Sequence, residues 1–255
     1  MIVLGLMTGT SMDGLDLCLA DLEIKEIDSL KFKIIDSITY QYPNKIKKNI
    51  IKYLNNSSDN YSSLSNQIGE FYLDKAIQFL KNRNIDIIAS HGQTISHLSN
   101  KHSLQIGNPK YMSKYFSVPV VYNFRKKDID FNGTGAPLVP YLDWLLFKNS
   151  KENVFTINIG GISNLTFIPI GGIRKNVIGF DMGPGMCLSD QYMRNFFNKK
   201  YDDYGRLASK GKVIEKLLDK LMNNEFFYKK PPKSTSVENF SANYINAILK
   251  EFNEI

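Results

Sequence analysis

One local pattern occurs twice in the chain, and it constrains the fold more than any other feature of the sequence. In each copy, a short apolar segment leads into a turn of small residues that contains glycine, and a second apolar segment follows. The first copy covers residues 2–22 with its turn at 8–14, and the second covers residues 154–168 with its turn at Gly160 and Gly161. Apolar segments joined by such turns are typical of β-hairpins. We therefore expect two related half-domains, residues 1–150 and 151–255, that face a common cleft.

The segments between and after these hairpins favour a mixed α/β fold. Helical spacing of apolar residues alternates along the chain with short apolar runs that are typical of buried strands. The predicted strands are 2–7, 15–22, 33–42, 85–89, 118–122, 154–158, 163–168 and 177–180, and the predicted helices are 45–54, 64–80, 138–147, 183–197, 211–223 and 241–251. The long polar segment 126–137 is expected to be a functional loop. The boundary between the halves is expected near residue 150, where the composition becomes polar.

The charged residues argue against a nucleic-acid-binding protein. The 32 Lys and Arg exceed the 25 Asp and Glu and give a net charge of +7, but only five of these cations are Arg, and the lysines are spread along the chain. Dispersed lysines solvate a surface, whereas nucleic-acid recognition uses clustered basic residues. Cys18 and Cys187 are far apart in sequence, and the N-terminal segment lacks the basic region of a signal peptide. We expect a cytoplasmic protein that binds neither nucleic acid nor a membrane.

The two glycine-containing turns carry groups that can bind phosphate and magnesium. Backbone amides, hydroxyls and carboxylates occur together in the first turn, at Gly9, Thr10, Ser11, Met12, Asp13, Gly14, Leu15 and Asp16. Amides and hydroxyls cradle phosphate oxygens, and a carboxylate such as Asp13 can hold Mg²⁺ through water. Gly160 and Gly161 form a second turn of the same chemical kind. Each turn also has a purely structural interpretation, as an Asp-Gly hairpin turn or as a bulge with positive φ at glycine.

Further polar side chains directly follow the predicted strands of the first half. His91, Gln93 and Thr94 come after one buried strand, and Arg125 comes after the next. Open α/β sheets bind ligands at the carboxyl ends of their strands. These four side chains suit a polyhydroxylated or anionic small molecule.

Two other positions have a functional and a structural interpretation. Asp181 follows the strand at 177–180 and precedes a predicted helix, so it is either a general base or the N-cap of that helix. His97 and His102 lie close to His91 in sequence, but their spacing fits no zinc-binding pattern.

Seven motifs in this order resemble the anhydro-N-acetylmuramic acid kinase family. They are GLMTGTSMDGLD at 5–16, SHGQT at 90–94, LQIGNP at 104–109, NFR at 123–125, GTGAPLVP at 133–140, NIGGISN at 158–164 and GFDMGPG at 179–185. The family belongs to the sugar kinase, Hsp70 and actin superfamily. The resemblance implies two ribonuclease-H-like half-domains around a cleft.

The resemblance also implies a reaction. In this family ATP phosphorylates O6 of 1,6-anhydro-N-acetylmuramic acid, a cell-wall turnover product, while water opens the anhydro bridge. Residues 9–16 would bind the ATP phosphates with Mg²⁺, and Gly160 and Gly161 would supply a second phosphate turn. Asp181 would activate the attacking water. The residues expected near the sugar are His91, Gln93, Thr94 and Arg125, with Arg125 facing the lactyl carboxylate.

The chain also departs from the family pattern. Thr8 stands where Ser is usual, Asn108 and Asn123 replace Asp, Met186 replaces Asn, and Ser236-Val237 replaces Gly-Arg. Family members continue past the position of residue 255 through a further strand-helix block, so we expect an incomplete second half-domain. Two hypotheses remain: an active ATP-dependent kinase, or an inactive remnant that binds sugar or phosphate. The expected partners are an amino-sugar substrate and ATP, with a homodimer as a candidate assembly.

Overall fold

The computed structural model describes residues 1–9, 14–26, 28–55, 60–98, 100–240 and 242–252. It divides the chain into two compact units, Met1–Ala136 and Pro137–Ile255. The division precedes the helix at Val139–Phe147, whereas the sequence analysis places the boundary near residue 150. That helix contacts two strands of the second unit. Both units combine helices with sheets, so the predicted mixed α/β class is confirmed.

The first unit contains a five-stranded sheet and a separate hairpin. Its strands are β1 (Ile2–Met7), β2 (Gly14–Glu26), β3 (Ser29–Gln41), β4 (Ile87–Ser90), β5 (Gln93–Leu98), β6 (His102–Ile106) and β7 (Val120–Tyr122). The sheet has the order β3-β2-β1-β4-β7, and β5 pairs with β6. Pairing is antiparallel between β1 and β2 and between β2 and β3, and parallel between β1 and β4 and between β4 and β7. The predicted opening hairpin is therefore confirmed.

Four helices complete the first unit: α1 (Asn44–Asn55), α2 (Ser62–Leu80), α3 (Lys110–Phe116) and α4 (Lys126–Asp130). The core forms because side chains alternate across a strand. Leu15, Leu17 and Leu19 of β2 are all buried on one face, and they belong to the same apolar cluster as Ile68 and Tyr72 of α2. The helical spacing predicted for residues 64–80 is thereby confirmed.

The second unit contains a three-stranded antiparallel sheet. Its strands are β8 (Val154–Ile159), β9 (Ile162–Ile168) and β10 (Ile178–Pro184), in the order β10-β9-β8. This order repeats the arrangement β3-β2-β1 of the first unit, so the doubled pattern in the sequence corresponds to a doubled antiparallel meander. On β8, which is an edge strand, Phe155, Ile157 and Ile159 are exposed.

In the sequence, one helix of the second unit precedes its sheet and the others follow it. They are α5 (Val139–Phe147), α6 (Cys187–Phe197), α7 (Glu215–Met222), α8 (Glu225–Tyr228) and α9 (Ala242–Glu251), with 3-10 turns at Arg174–Asn176, Asp203–Gly205, Ala208–Lys210 and Val237–Phe240. Asp143 of α5 is buried, and its Oδ2 accepts hydrogen bonds from the hydroxyls of Thr156 (2.5 Å) and Thr166 (2.6 Å). These bonds satisfy a carboxylate that would otherwise be costly to bury. Within the described residues, no helix is both long and apolar enough to cross a bilayer.

Several predicted boundaries are wrong. β2 runs from Gly14 to Glu26, so it begins one residue before and ends four residues after the predicted strand at 15–22. The segment 126–137 begins with α4 instead of being a loop throughout. β5, β6 and α3 were not predicted from the sequence. Strand β10 continues to Pro184 and α6 starts at Cys187, because Gly183 adopts a φ of +146° that allows the strand to continue past an irregularity.

Candidate functional site

The first unit brings three strand ends together. β1, β4 and β7 are mutually parallel, so their carboxyl ends lie at the same edge of the sheet. Hydrogen bonds join the segments that follow β1 and β4: the hydroxyl of Thr8 donates to the carbonyl of Gly92 at 2.8 Å, and Nε2 of Gln93 donates to the carbonyl of Gly9 at 3.2 Å. Gly92 needs its φ of +77° and its missing side chain, because a Cβ would lie 2.9 Å from the carbonyl oxygen of Ile106.

His91 and Arg125 form the polar centre of this edge. Nε and Nη2 of Arg125 lie 3.3 and 3.0 Å from Nε2 of His91. Because the guanidinium can only donate, Nε2 carries the imidazole lone pair, and the proton sits on Nδ1, which donates to the carbonyl of Gly92 at 2.7 Å. Two effects lower the pKa of His91 below its ordinary value: burial, which is the larger, and the positive charge of Arg125. His91 is therefore a neutral acceptor that orients the guanidinium.

Arg125 is a partly buried cation that lacks an anionic partner in the described part of the chain. Its remaining hydrogen bond runs from Nη1 to the carbonyl of Gly135 at 2.8 Å, and burial lowers its pKa. Gly135 is held in turn by its amide, which donates to the carboxylate of Asp128 at 2.7 Å. A guanidinium presents five donors in a rigid fork, and neutral acceptors occupy only part of them here. The arrangement suits a carboxylate ligand.

Gln93 is fully buried and has an unsatisfied acceptor. Its Nε2 donates to the carbonyls of Gly9 at 3.2 Å and Thr94 at 3.3 Å, which fixes the orientation of the amide, because a flip would set oxygen against two carbonyl oxygens. The other atom, Oε1, is buried and receives no hydrogen bond from the described residues. A buried acceptor without a donor costs about 1–3 kcal/mol. A ligand N–H or O–H would remove that cost.

Thr94 lies beside Gln93 at the start of β5. Its hydroxyl accepts a hydrogen bond from Nε2 of Gln105 at 3.3 Å, and Gln105 also donates to Ser103 at 2.7 Å. The four predicted sugar-binding residues therefore lie on two neighbouring segments, three of them at 91–94 and the fourth next to His91. Gln105 was not assigned a role from the sequence, although it is part of the LQIGNP motif.

The first glycine-containing turn is described only at its ends. Thr10, Ser11, Met12 and Asp13 lie outside the described residues. The Leu15 side chain belongs to the core, so it offers a ligand only its backbone. Gly14 has a packing role, since a Cβ there would lie 2.2 Å from the carbonyl oxygen of Tyr40. Asp16 is exposed on β2, and its Oδ1 accepts a hydrogen bond from the hydroxyl of Thr39 at 2.5 Å.

The second turn is built around two glycines with different surroundings. Neither has positive φ, so the interpretation as a positive-φ turn is wrong. A Cβ on Gly160 would meet only the carbonyl oxygen of Ile162, at 3.6 Å, whereas one on Gly161 would lie 3.3 Å from Val237. Neither backbone conformation nor packing therefore explains the missing side chain of Gly160. An approaching ligand would explain it.

The amides at the start of α6 hold this turn in place. The N–H groups of Gly185 and Cys187 donate to the carbonyl of Gly161 at 2.9 and 3.2 Å, and that of Met186 donates to the carbonyl of Gly160 at 2.8 Å. Helix N-termini usually leave such donors free. Here the turn carbonyls use them, so they are not available to a phosphate.

Asp181 lies within β10 and is not a helix N-cap, so the structural interpretation from the sequence is wrong. It is buried, and its Oδ2 accepts hydrogen bonds from the Ser234 hydroxyl and the Thr235 amide, both at 2.9 Å. Its own amide donates to the carbonyl of Lys233 at 2.8 Å. No described residue donates to Oδ1. The strand pairing shifts directly after Asp181, and irregularities of this kind often orient side chains at active sites.

Sequence reasoning missed the residues that hold Asp181. Ser234 and Thr235 were not assigned a role from the sequence, and more than fifty positions separate them from Asp181. Lys233 fixes the start of this segment, because its Nζ donates to the carbonyls of Phe226 at 3.0 Å and Phe227 at 3.1 Å. The one signal in the sequence was the hydroxyl pair at 234–235, which directly follows Lys233.

Histidine and acidic residues do not assemble into a metal centre in the described ranges, where no three His, Cys, Asp or Glu side chains are grouped suitably. Nδ1 of His97 lies 3.1 Å from the Ser103 hydroxyl, and Nε2 of His102 lies 2.6 Å from the Ser96 hydroxyl. These contacts join β5 to β6. They give both histidines a structural role in the hairpin.

The comparison with family models and the comparison with curated proteins agree on one family. The family model for anhydro-N-acetylmuramic acid kinase matches residues 1–255. Similar curated proteins of that name come from Caldanaerobacter subterraneus (34% identity), Clostridioides difficile (38%) and Francisella tularensis (37%), and each match covers 98% of this chain and 68%, 69% and 69% of the relative. Among solved structures, Thermus thermophilus RuvC matches 57% of this chain and 78% of its own at 14% identity, with a TM-score of 0.29, too low to support an argument.

Proposed function

Because the chain belongs to the anhydro-N-acetylmuramic acid kinase family, we propose that it transfers a phosphoryl group from ATP to O6 of 1,6-anhydro-N-acetylmuramic acid while water opens the anhydro bridge. The observation that carries the proposal is the arrangement at Asp181. One carboxylate oxygen is held by two donors, and the other has no donor among the residues that the structure describes. A general base needs this combination of a fixed position and an open lone pair.

Asp181 would take a proton from the water that attacks the anomeric carbon. Ser234 and Thr235 restrict rotation of the carboxylate, so Oδ1 keeps one direction. Cleavage of the bridge leaves negative charge on O6, the atom that accepts the phosphoryl group. Ring opening and phosphoryl transfer therefore support each other, and positioning provides much of the catalysis.

The first unit would bind the acidic sugar. We assign the lactyl carboxylate to the free donors of Arg125, whose orientation is maintained by His91. Oε1 of Gln93 would accept a hydrogen bond from a sugar N–H or O–H group, which would satisfy the buried oxygen. Thr94 would add a hydroxyl at the same edge.

ATP supplies the phosphoryl group when it is bound, and Mg²⁺ neutralises phosphate charge. Gly160 fits a phosphate turn because its missing side chain leaves one side of the backbone open. Asp16 fits a water-mediated magnesium site, since it is exposed and only its Oδ1 has a hydrogen-bond partner among the described residues. Asp13 remains the proposed magnesium residue from the sequence, together with phosphate contacts from residues 9–16.

The finer aspects of the fold and location are also proposals. Two ribonuclease-H-like units are supported by the meander β3-β2-β1 and its repeat β10-β9-β8. A cytoplasmic location is supported by two free cysteines and by the use of ATP.

The experiment that tests the function is the substitution Asp181→Asn. It keeps the shape of the side chain but removes the basic oxygen, so kcat should fall by about 10²–10⁴. Ser234→Ala should lower kcat less, since the carboxylate remains but loses one donor. Asp219→Asn, an exposed change on α7, is the matched control and should have no effect. The measurement is ADP release with the anhydro sugar. Near-normal turnover of Asp181→Asn would remove this residue from the mechanism.

A further inference from the structure

A chain of buried hydroxyl groups leads from the core of the first unit to its polar edge. The hydroxyl of Tyr42, which follows β3, lies 3.0 Å from that of Tyr72 in α2. The hydroxyl of Tyr72 lies 3.0 Å from Oγ1 of Thr8, which donates to the carbonyl of Gly92. All three hydroxyl-bearing side chains are buried, and that of Tyr72 is fully buried. The chain therefore ends on the segment that directly follows β4.

When these three hydrogen bonds are formed, their protons have a single arrangement. A carbonyl only accepts, so the one hydroxyl proton of Thr8 is committed to Gly92. Thr8 must then accept from Tyr72, and because Tyr72 has used its own proton, it must accept from Tyr42. Every hydroxyl thus donates in the direction of Gly92. Hydrogen bonds aligned in one direction strengthen one another, so loss of one hydroxyl weakens the bonds that remain.

The chain ends on an atom that also belongs to the proposed sugar site. The carbonyl oxygen of Gly92 accepts from Thr8 at 2.8 Å and from Nδ1 of His91 at 2.7 Å, which occupies both of its lone pairs. The bond from His91 keeps its proton on Nδ1 and leaves Nε2 to accept from Arg125. Thr8, for its part, stands directly before the first glycine turn. One carbonyl is therefore shared by the segment that leads into the turn and by the residue that orients the guanidinium.

Packing explains the ring of Tyr72 but not its hydroxyl. The ring belongs to the main apolar cluster of the unit. Gly107, with a φ of +124°, makes room for it, since a Cβ there would lie 2.9 Å from Cε2 of Tyr72. A phenylalanine would fill the same space, and burial of a hydroxyl is costly unless it is hydrogen-bonded. The hydrogen bonds to Thr8 and Tyr42 are thus the reason for a tyrosine at this position.

We propose that Tyr72 is a positioning residue for phosphoryl transfer. Through Thr8, it fixes the segment that leads into the first glycine turn relative to His91, and hence relative to the guanidinium of Arg125. The proposal rests on the proposed function, in which the turn binds the phosphates of ATP and the guanidinium binds the acidic sugar. Transfer requires both ligands in one alignment, and small displacements from it greatly reduce the rate.

The kinetic test is Tyr72→Phe, which removes the hydroxyl and keeps the ring. Each ligand retains its own binding groups while their alignment loosens, so kcat should fall by about tenfold or more, and the KM for ATP and for the sugar should each change less than about threefold. Because Tyr72 acts through Thr8, Tyr72→Phe should lower kcat no further in a Thr8→Val background. An unchanged kcat for Tyr72→Phe, or additive effects of the two substitutions, would overturn the proposal.

Tyr53→Phe is the matched control. Tyr53 lies on α1 and packs against the same apolar cluster, but its hydroxyl forms no hydrogen bond within the described part of the chain. This variant should keep the kcat of the wild type. A loss equal to that of Tyr72→Phe would show that any buried hydroxyl of the unit has this effect, and would overturn the proposal.

Amide hydrogen exchange provides a measurement that does not depend on activity. The amide of His91 donates to the carbonyl of Leu6 at 2.9 Å, so its exchange reports local opening between the ends of β1 and β4, whereas the amide of Leu17 in the central strand β2 reports global unfolding. Tyr72→Phe should accelerate exchange at His91 by about fivefold or more relative to Leu17. Equal acceleration at both amides would mean that the hydroxyl only stabilises the fold, and would overturn the proposal. Selective acceleration in a chain that phosphorylates no sugar would support the positioning chain and refute the proposed function instead.

Discussion

The contacts between the second glycine turn and the start of α6 predict that two glycine-to-alanine substitutions differ in their effect on stability. A Cβ on Gly185 would lie 2.3 Å from the carbonyl oxygen of Gly160, which is backbone and cannot rotate away. A Cβ on Gly160 would meet nothing closer than 3.6 Å. Gly185→Ala should therefore destabilise the second unit, while Gly160→Ala should fold normally and affect only ligand binding.

The magnitude follows from the hydrogen bonds that Gly185→Ala disrupts. Relief of the clash requires a displacement of about 1 Å to reach ordinary van der Waals contact. Amide bonds of 2.8, 2.9 and 3.2 Å join the turn to residues 185–187, and such a displacement would break two of them. At about 1–2 kcal/mol for each lost bond, the free energy of unfolding should fall by about 2–4 kcal/mol. For Gly160→Ala the expected change is within about 0.5 kcal/mol.

Urea denaturation followed by tryptophan fluorescence measures this difference directly. Trp144 is the only tryptophan of the chain, and it is buried in α5, within the same unit as both glycines. In the kinase assay, Gly160→Ala should raise the KM for ATP by about tenfold or more, the equivalent of about 1.4 kcal/mol. A Gly185→Ala variant as stable as the wild type would refute the structural argument, and an unchanged KM for ATP in Gly160→Ala would refute the phosphate turn.

Two further predictions concern the first unit. Burial is the larger and the charge of Arg125 the smaller cause of the lowered pKa of His91, so the unfolded chain binds a proton before the folded chain does as the pH falls below about 6.5. The Tm of the wild type should therefore decline over that range, and His91→Gln should reduce the decline. Parallel Tm profiles of the two proteins would contradict the role of His91. Thr8→Val removes the hydroxyl donor to the carbonyl of Gly92, which keeps its bond from Nδ1 of His91, and should cost about 0.5–1.5 kcal/mol in urea unfolding. Thr8→Ser keeps the hydroxyl and should preserve this bond, and equal stability of wild type and Thr8→Val would contradict it.

Local patterns were sufficient to predict much of the fold. Alternation in residues 15–19 and helical spacing in residues 64–80 both identified core faces, because burial on one side imposes a period on the sequence. The distal end of the β2–β3 hairpin, residues 23–26 and 29–32, was missed because Glu23, Lys25 and Glu26 resemble the polar residues of a turn. Both of its faces are accessible, so its side chains carry a weaker signal of burial.

The candidate site was predicted where it depends on strand ends, and missed where it depends on distant segments. His91 and Arg125 follow parallel strands, which explains why they meet. Asp181 was misplaced because Gly183 and Pro184 resemble the start of a helix, although the positive φ of Gly183 lets β10 continue. Its contact with Ser234 arises from tertiary packing, and no local pattern encodes it.

The most direct test of the central claim is the identity of the product. The purified 255-residue chain should be incubated with ATP, Mg²⁺ and 1,6-anhydro-N-acetylmuramic acid in heavy-oxygen water, and the sugar analysed by mass spectrometry. We predict a product that has gained one phosphoryl group and one water-derived oxygen for each ADP released. A phosphorylated sugar with its bridge intact, or no phosphorylated sugar at all, would contradict the account.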